Sequence, residues 1–288
     1  MSATLRPRRS VLYMPAANER ALEKAKTIDA DAIIFDLEDA VAPDAKDAAR
    51  GQAAAAASSG EYGRSELTIR CNGLDTPWGA SDIAAAAGSG AASVVIPKVG
   101  SVAYVDEVSS LLDKGGAPAE MRIWAMIETP RAIFDVRAIA AHPRVELLVM
   151  GTNDLARELR AKLVPSRHPL LPHLATALAA AREAGKAILD GVYNDVKDLD
   201  GFRAECVQGA EMGFDGKTLI HPGQVDIAND VWAPTADEVE YARRVIDAFE
   251  EGLREKKGVV TVDGRMIENL HVANAQRTLA VADAIAAL

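Results

Sequence analysis

Cysteine is almost missing from this chain of 288 residues. Cys71 and Cys206 are the only two, and they show no CxxC spacing. Neither a zinc site nor a disulfide framework is suggested, and a reducing cytoplasm fits this usage. Histidine is also scarce: five copies lie scattered, so no histidine cluster invites a transition metal. Aromatic residues make up 5%. Trp78, Trp124 and Trp232 stand apart and read as core or interface residues. No apolar run reaches the roughly 18 residues of a membrane span. The alanine stretch 53–57 is too short and reads as an exposed helix end. The start, MSATLRPRRS, lacks the apolar core of a signal peptide. A cytoplasmic protein without a membrane partner is therefore expected. Positive charge is in deficit: Lys and Arg total 32 against 42 Asp and Glu, a net charge of −10. That makes nucleic acid a poor general partner and leaves room for a local pocket for an anionic ligand.

Glycine-rich phosphate loops are missing too. The first apolar run is followed by MPAANER, without glycine. GFDGKT at 213–218 faintly resembles a P-loop, but Glu211 stands where the first glycine belongs and the segment enters a strand. No GxSxG elbow occurs.

Apolar residues are plentiful, at 49%, with 26% charged. Such a chain buries a sizeable core without covalent staples. Short Val/Ile/Leu-rich runs recur at 10–14, 32–37, 66–71, 91–97, 122–127, 145–150, 187–189 and 216–220. None alternates strictly, which is how a strand buried on both faces reads. Helical patterns lie between them at 19–29, 45–57, 82–87, 102–114, 130–140, 170–184 and 198–212, and another follows at 238–255. Eight β-α units in this length predict an α/β fold, the closed (β/α)8 TIM barrel. The rival is a doubly wound open sheet, which usually has fewer strands and often a glycine-rich first turn. The tail, GVVTVDGRMIEN and a helix over 271–287, falls outside the repeat. VVTV reads as a strand and DG as a tight turn. The expected division is a barrel over 1–256 and a C-terminal strand-turn-helix extension over 257–288, a lid.

In such a barrel the C-terminal strand ends converge on the active site. These ends carry Pro15; Asp36-Leu37-Glu38-Asp39; Arg70 and Asn72; Pro97-Lys98; Glu128; Gly151-Thr152-Asn153-Asp154; Asp190; and His221-Pro222. Carboxylates crowded at one mouth repel one another, and a divalent cation relieves this. Oxygen ligands favour Mg²⁺ over zinc. Glu128 and Asp154, on adjacent strand ends, could share one ion. Against this, Asp39 and Asp154 could each cap the following helix. Arg70 could clamp a substrate carboxylate bidentately or pair with Glu38 or Asp39. Metal and arginine together would polarise a carbonyl and hold an enolate oxygen, which is the chemistry of C–C bond making or breaking.

The pieces RRSVLYMPAANERALEKA, DAIIFDLEDAVAPDAKDAAR, IRCNG, VVIPKV, AMIETPRA, LVMGTNDLA, GFDGKTLIHPGQV and VVTVDGRMIENLHVANAQR resemble the CitE-like branch of the HpcH/HpaI aldolase superfamily. That branch holds citrate lyase β-subunits, malyl-CoA and citramalyl-CoA lyases, and malyl-CoA thioesterases. The resemblance implies a TIM barrel, an acyl-CoA substrate, Mg²⁺ with Mn²⁺ as a substitute, and a homotrimer or homohexamer. It implies Glu128 and Asp154 as metal ligands, with Asn153 beside them at the substrate. It also implies Arg70 on the acid part of the substrate, and Glu38 and Asp39 behind it. CoA is expected near Tyr13, Lys24 and Ile220-His221-Pro222, with Arg20 supplying a cation for its phosphates. Many relatives carry an aspartate in the tail that is donated to a neighbouring subunit as acid or base. Glu268 is its counterpart here, with Asp263 a weaker match. The leading expectation is a lyase that cleaves malyl-CoA to acetyl-CoA and a 2-oxo acid. The alternatives are a (3S)-malyl-CoA thioesterase and a citrate lyase β-type subunit of a complex.

Overall fold

The non-alternating apolar runs form strands whose residues are buried on both faces, AIIFD and SVVI throughout. The structure is a computed structural model that describes residues 5–255 and 259–288. In chain order the elements are β1 (Ser10–Pro15), α1 (Glu19–Ala25), β2 (Ala32–Asp36), α2 (Lys46–Ser58), β3 (Glu66–Arg70), α3 (Gly79–Ala87), β4 (Ser93–Ile96) and α4 (Val102–Lys114). There follow β5 (Arg122–Ile127), α5 (Pro130–Ala141), β6 (Val145–Met150), α6 (Thr152–Leu159), α7 (Leu171–Glu183), β7 (Ala187–Asp190), α8 (Leu199–Met212), β8 (Gly216–Leu219) and α9 (Val225–Val231). The eight strands are parallel, and β8 pairs back onto β1. The sheet is therefore the closed TIM barrel, and the open-sheet alternative is excluded. The short helices α6 and α9 carry no separate signal in the sequence periodicity.

Helix starts follow local chemistry. Asn18, Ser101, Thr129 and Asp198 each accept a main-chain N–H of the helix they begin, as N-caps do. The alanine stretch within α2 corrects an expectation. Ala53 and Ala57 are buried with Ala49 and Lys46 along one face. Small side chains at four-residue spacing let this helix lie close to the barrel.

Inside the barrel, alternate residues of the strands form one apolar cluster, including Val11, Ile34, Val95, Trp124, Met126, Leu147, Val149 and Leu189. The N-terminal end is closed by charge. Arg8 donates to both Glu66 oxygens at 2.7 and 2.9 Å and to Glu146 at 2.8 Å, and its guanidinium lies 5.2 Å from the Trp124 ring centroid. A second buried network ties β7, β8 and α8 together. Lys217 donates to Asp190 at 2.8 Å and to Glu205 at 2.7 Å, and Arg167 donates to both Asp190 oxygens. Burial opposes ionisation of Asp190, but Lys217 and Arg167 outweigh it and hold its carboxyl below the usual range. Asp190 is thus committed to packing at the outer face of the barrel.

The described chain divides into two compact units: Arg8–Val231, which is the barrel, and Trp232–Leu288 with the stretch before Arg8. The expected boundary at 256/257 itself lies outside the described residues. The second unit contains α10 (Ala236–Arg254), β9 (Val260–Val262), β10 (Arg265–Ile267) and α11 (Asn269–Ala286). Helix α10 belongs here, although its position after the eighth strand suggested a barrel helix. It buries Ala242 and Val245 against Val262, Ile267 and Ala275. β9 and β10 form the expected hairpin, with Asp263 and Gly264 at φ 51° and 76°, as a tight turn of this type requires.

The barrel floor gives a stability prediction. Glu66→Ala leaves the buried Arg8 without its bidentate partner, and stability falls by about 3 kcal/mol. Urea unfolding monitored by circular dichroism measures this; an unchanged midpoint would contradict a floor held by that pair.

Candidate active site

The C-terminal strand ends enclose a cavity of about 360 Å³. Its wall is built from β1 (Tyr13, Pro15), the β2 end (Asp36, Asp39), β3 (Arg70), β5 (Met126, Glu128), the β6 end (Met150–Asp154), the loop after β7 (Val192, Asn194) and β8 (Thr218, Ile220). Strand alternation explains the choice. Tyr13, Asp36, Arg70 and Met126 continue the inward-facing series of Val11, Ile34 and Trp124 one layer higher.

Glu128 follows directly after β5 and is 2% exposed. One carboxylate oxygen accepts the Lys98 main-chain N–H at 2.7 Å. Lys98 takes a left-handed φ of 49° there. The other oxygen faces Gly151, where a Cβ would stand 2.2 Å away. Only glycine lets the β6 end close over this acid. Burial pushes the Glu128 carboxyl up to about 7 against the pull of the Lys98 N–H, and the neighbouring Asp154 and Glu38 carboxylates add to the rise. Asp154 sits in the first turn of α6, where the helix dipole favours an anion. It is not the N-cap, which is Gly151; its carboxylate pairs with Arg157 at 2.6 Å. Two acids whose charges oppose each other at a cavity wall form a donor set that a divalent cation satisfies. Among the described residues no group of three or more His, Cys, Asp or Glu is placed to hold a metal. A pair of carboxylates, with water and substrate completing the shell, suits Mg²⁺.

Arg70 is 8% exposed and already engaged. Its Nε and Nη2 donate to the two oxygens of Asp36, both at 2.6 Å. Its Nη1 lies 2.9 Å from Glu38 and 3.6 Å from Asp39. Asp36 and Arg70 are register partners across β2 and β3, so the ladder itself sets the fork opposite the carboxylate. Glu38 also faces the Lys98 ammonium at 3.4 Å. Burial first, then Asp39 and Asp36, raise its carboxyl against the pull of Arg70 and Lys98. Lys46 pins this loop from below: its buried ammonium donates to the carbonyls of Leu37 and Glu38 and to Asn72, each at 2.8 Å.

The structure thus brings Tyr13, Arg70, Glu128, Asn153, Asp154, Asp39 and Ile220 to one cavity, with Glu38 directly behind Arg70. Arg20 and Lys24 are exposed on α1 and do not line it, nor do His221 and Pro222. His221 accepts the Gly223 N–H at 3.0 Å and shapes its own turn. Glu268 lies in the second unit at the N-cap of α11, its N–H bonded to His271. Asp263 is held bidentately by Arg244 at 2.7 and 2.9 Å. Sequence reasoning gave no role to Asp36, Lys46 or Asn194. Asp36 carried a signal, the inward parity it shares with Ile34. Asn194 carried none: its reciprocal amide pair with Asn153, at 2.9 and 3.0 Å, joins the loop after β7 to the first turn of α6, 41 residues apart.

Comparison with known proteins sets this site in a family. The model of the HpcH/HpaI aldolase/citrate lyase family matches residues 9–222. A (3S)-malyl-CoA thioesterase of Cereibacter sphaeroides is 51% identical over 287 residues, covering 100% of this chain and 99% of that protein. Citrate lyase subunit beta of Escherichia coli is 36% identical, covering 96% of this chain and 94% of that one. The crystal structure of CitE from Mycobacterium tuberculosis with magnesium, acetoacetate and coenzyme A superposes with a TM-score of 0.79 at 28% identity, covering 97% of this chain and 100% of that one. The chain belongs to the HpcH/HpaI aldolase/citrate lyase family, in its CitE-like branch.

Proposed function

We propose that this protein is a Mg²⁺-dependent acyl-CoA hydrolase that releases malate and CoA from (3S)-malyl-CoA. One observation carries the reading. A cavity that brings Glu128 and Asp154 together beside Arg70 occurs in a chain 51% identical, end to end, to a malyl-CoA thioesterase. The carbon–carbon lyase first expected becomes the second reading, favoured by the 36% likeness to a citrate lyase subunit beta. The same likeness leaves room for a subunit of a complex.

Mg²⁺ held by Glu128 and Asp154 would supply a Lewis acid that polarises an acyl oxygen. The rest is the work of the chain. The Lys98 N–H and Gly151 hold the Glu128 carboxylate in place. Arg70, anchored by Asp36, keeps a positive edge near the oxygens of the acyl group. The Asn153–Asn194 pair ties down the first turn of α6, which carries Asp154. The CoA moiety would stay at the mouth, on Ile220 and the His221-Pro222 turn, with Arg20 and Lys24 available to its phosphates. Hydrolysis needs a group that takes the proton of the attacking water. Glu268, contributed by a neighbouring copy in a trimer or hexamer, would do so. The proton would pass to its carboxylate as the water oxygen bonds to the acyl carbon; the C–S bond then breaks, and the carboxyl returns the proton to the leaving thiolate, giving the thiol and regenerating the base.

Product analysis tests the reading. With Mg²⁺ and malyl-CoA, free thiol and malate should appear in equal amounts; glyoxylate and acetyl-CoA as main products would favour the lyase instead. Glu128→Gln keeps the side chain's shape but removes its charge, so Mg²⁺ affinity should fall by about 100-fold or more, measured by calorimetry. Affinity should also depend on pH. A metal-free Glu128 that titrates at about 7 makes Mg²⁺ compete with a proton. The apparent Kd should fall about tenfold per pH unit up to pH 7 and flatten above it. A Kd that stays flat from pH 5.5 to 8.5 would remove Glu128 from the metal site.

A further inference from the structure

Tyr13 stands on the inner face of β1, packed against the apolar cluster that fills the barrel. Its ring lies 4.6 Å from the Arg70 guanidinium carbon. Its hydroxyl approaches Met126 Sδ at 4.0 Å, the one hydrogen bond it makes among the described residues, and a thioether is a weak acceptor. Burial is the main cause that lifts this phenol above its usual range. Arg70 opposes the rise, and Asp36, Glu128 and Glu38 reinforce it. At neutral pH the hydroxyl therefore keeps its proton and can donate.

Several other side-chain donors on the wall are committed. Arg70 is taken by Asp36 and Glu38. Asn153 and Asn194 bond to each other, and the Thr218 hydroxyl donates to the Asp190 carbonyl at 3.1 Å. Below Tyr13 the barrel is solid, with Val11, Ile34, Trp124 and Leu147 all fully buried. A cavity of about 360 Å³ matches an acyl group better than the much bulkier CoA, which the acyl-CoA reading leaves at the mouth. The acyl group must enter first, with its far end deepest and its thioester nearest the mouth. In a malyl group that far end is a carboxylate. The wall it meets carries Asp36, Asp39, Glu128 and Asp154, so an anion needs a donor there.

Building on the acyl-CoA reading above, we propose that the Tyr13 hydroxyl donates a hydrogen bond to the carboxylate at the far end of a dicarboxylic acyl group. This makes Tyr13 a specificity-determining residue on the floor of the cavity, acting on the acyl group and not on CoA.

The test is Tyr13→Phe, which removes one oxygen and keeps the ring under Arg70. Malyl-CoA and 3-hydroxybutyryl-CoA share the thioester and the hydroxyl, but the second ends in a methyl. With Mg²⁺ present, the ratio of their kcat/KM values should fall about 10- to 100-fold in the variant, the range for a hydrogen bond to a charged group. An equal loss on both substrates, as a purely packing role would give, overturns the proposal. So does an unchanged ratio. Calorimetry with malate alone, in Mg²⁺, gives an independent reading: the variant should bind it about tenfold more weakly or worse. Should the wild-type protein hydrolyse neither ester, the acyl-CoA reading fails, and malate binding still decides on Tyr13. Affinity lost in the variant sustains the carboxylate contact; equal affinity in both proteins, or none in the wild type, overturns it.

Discussion

A carboxylate buried without a full countercharge governs this site. Glu128 is 2% exposed and bonded through one oxygen to a main-chain N–H. Its other charged neighbours include the carboxylates of Asp154 and Glu38, and Arg70 gives only a weaker offset. Such an arrangement costs the folded chain free energy, since burial opposes the charged form. A fold keeps a cost of this kind where it serves a function. The surroundings are built to keep it. Gly151, lacking a Cβ, leaves room for the acid where it stands, Lys98 turns through a left-handed φ to face it, and the β5–β6 ladder fixes both strand ends.

Around this acid, positive charge is rationed. Arg70 has the form of an open fork awaiting a substrate carboxylate, but Asp36 fills it from the neighbouring strand. A guanidinium so held loses little freedom when substrate arrives and presents a fixed field, which favours electrostatic stabilisation of developing charge. Direct recognition of a substrate anion then falls to other groups on the wall, neutral donors such as the phenol of Tyr13 among them.

How much of this the sequence carried varied with the range of the interaction. Strands and helices were legible because their signals are local: unbroken apolar runs, helical spacing between them, and the Asp263-Gly264 turn. Glu128, Asp154 and Arg70 were legible as strand-end residues once a closed barrel was expected. The Arg70–Asp36 pairing was not, because choosing Asp36 over Glu38 and Asp39 needs the register of β2 against β3. The Asn153–Asn194 bridge and the three bonds of Lys46 depend on helix ends meeting distant loops in space, which periodicity does not encode. Helix α10 follows the eighth strand as a barrel helix would, yet its apolar face, with Ala242 and Val245, is completed by Val262, Ile267 and Ala275. What decides its unit is the partner of that face, and a pattern along one helix does not name its partner.

Hydrolysis and carbon–carbon cleavage ask the same things of the barrel and differ in where a proton goes. In both, under the proposed placement, an oxygen of the acyl group would gain negative charge beside Glu128, Asp154 and Arg70, and one wall would serve either reaction. Cleavage requires that a carbanion next to the thioester receive a proton. Hydrolysis requires that water lose one. The buried acids of the barrel strands are poorly placed to carry that proton. Asp36 is locked to Arg70, Asp190 is locked to Lys217 and Arg167, and Glu128 and Asp154 are the proposed ligands. A carrier from outside the barrel strands answers the need. Of the two acids in the tail hairpin region, Asp263 is clamped by Arg244 and Glu268 is exposed. Under the proposed reading the barrel would set which acyl group is held, while the reach of a neighbouring copy's Glu268 carboxyl, one methylene longer than an aspartate's, would set whether water or carbon is the atom it serves.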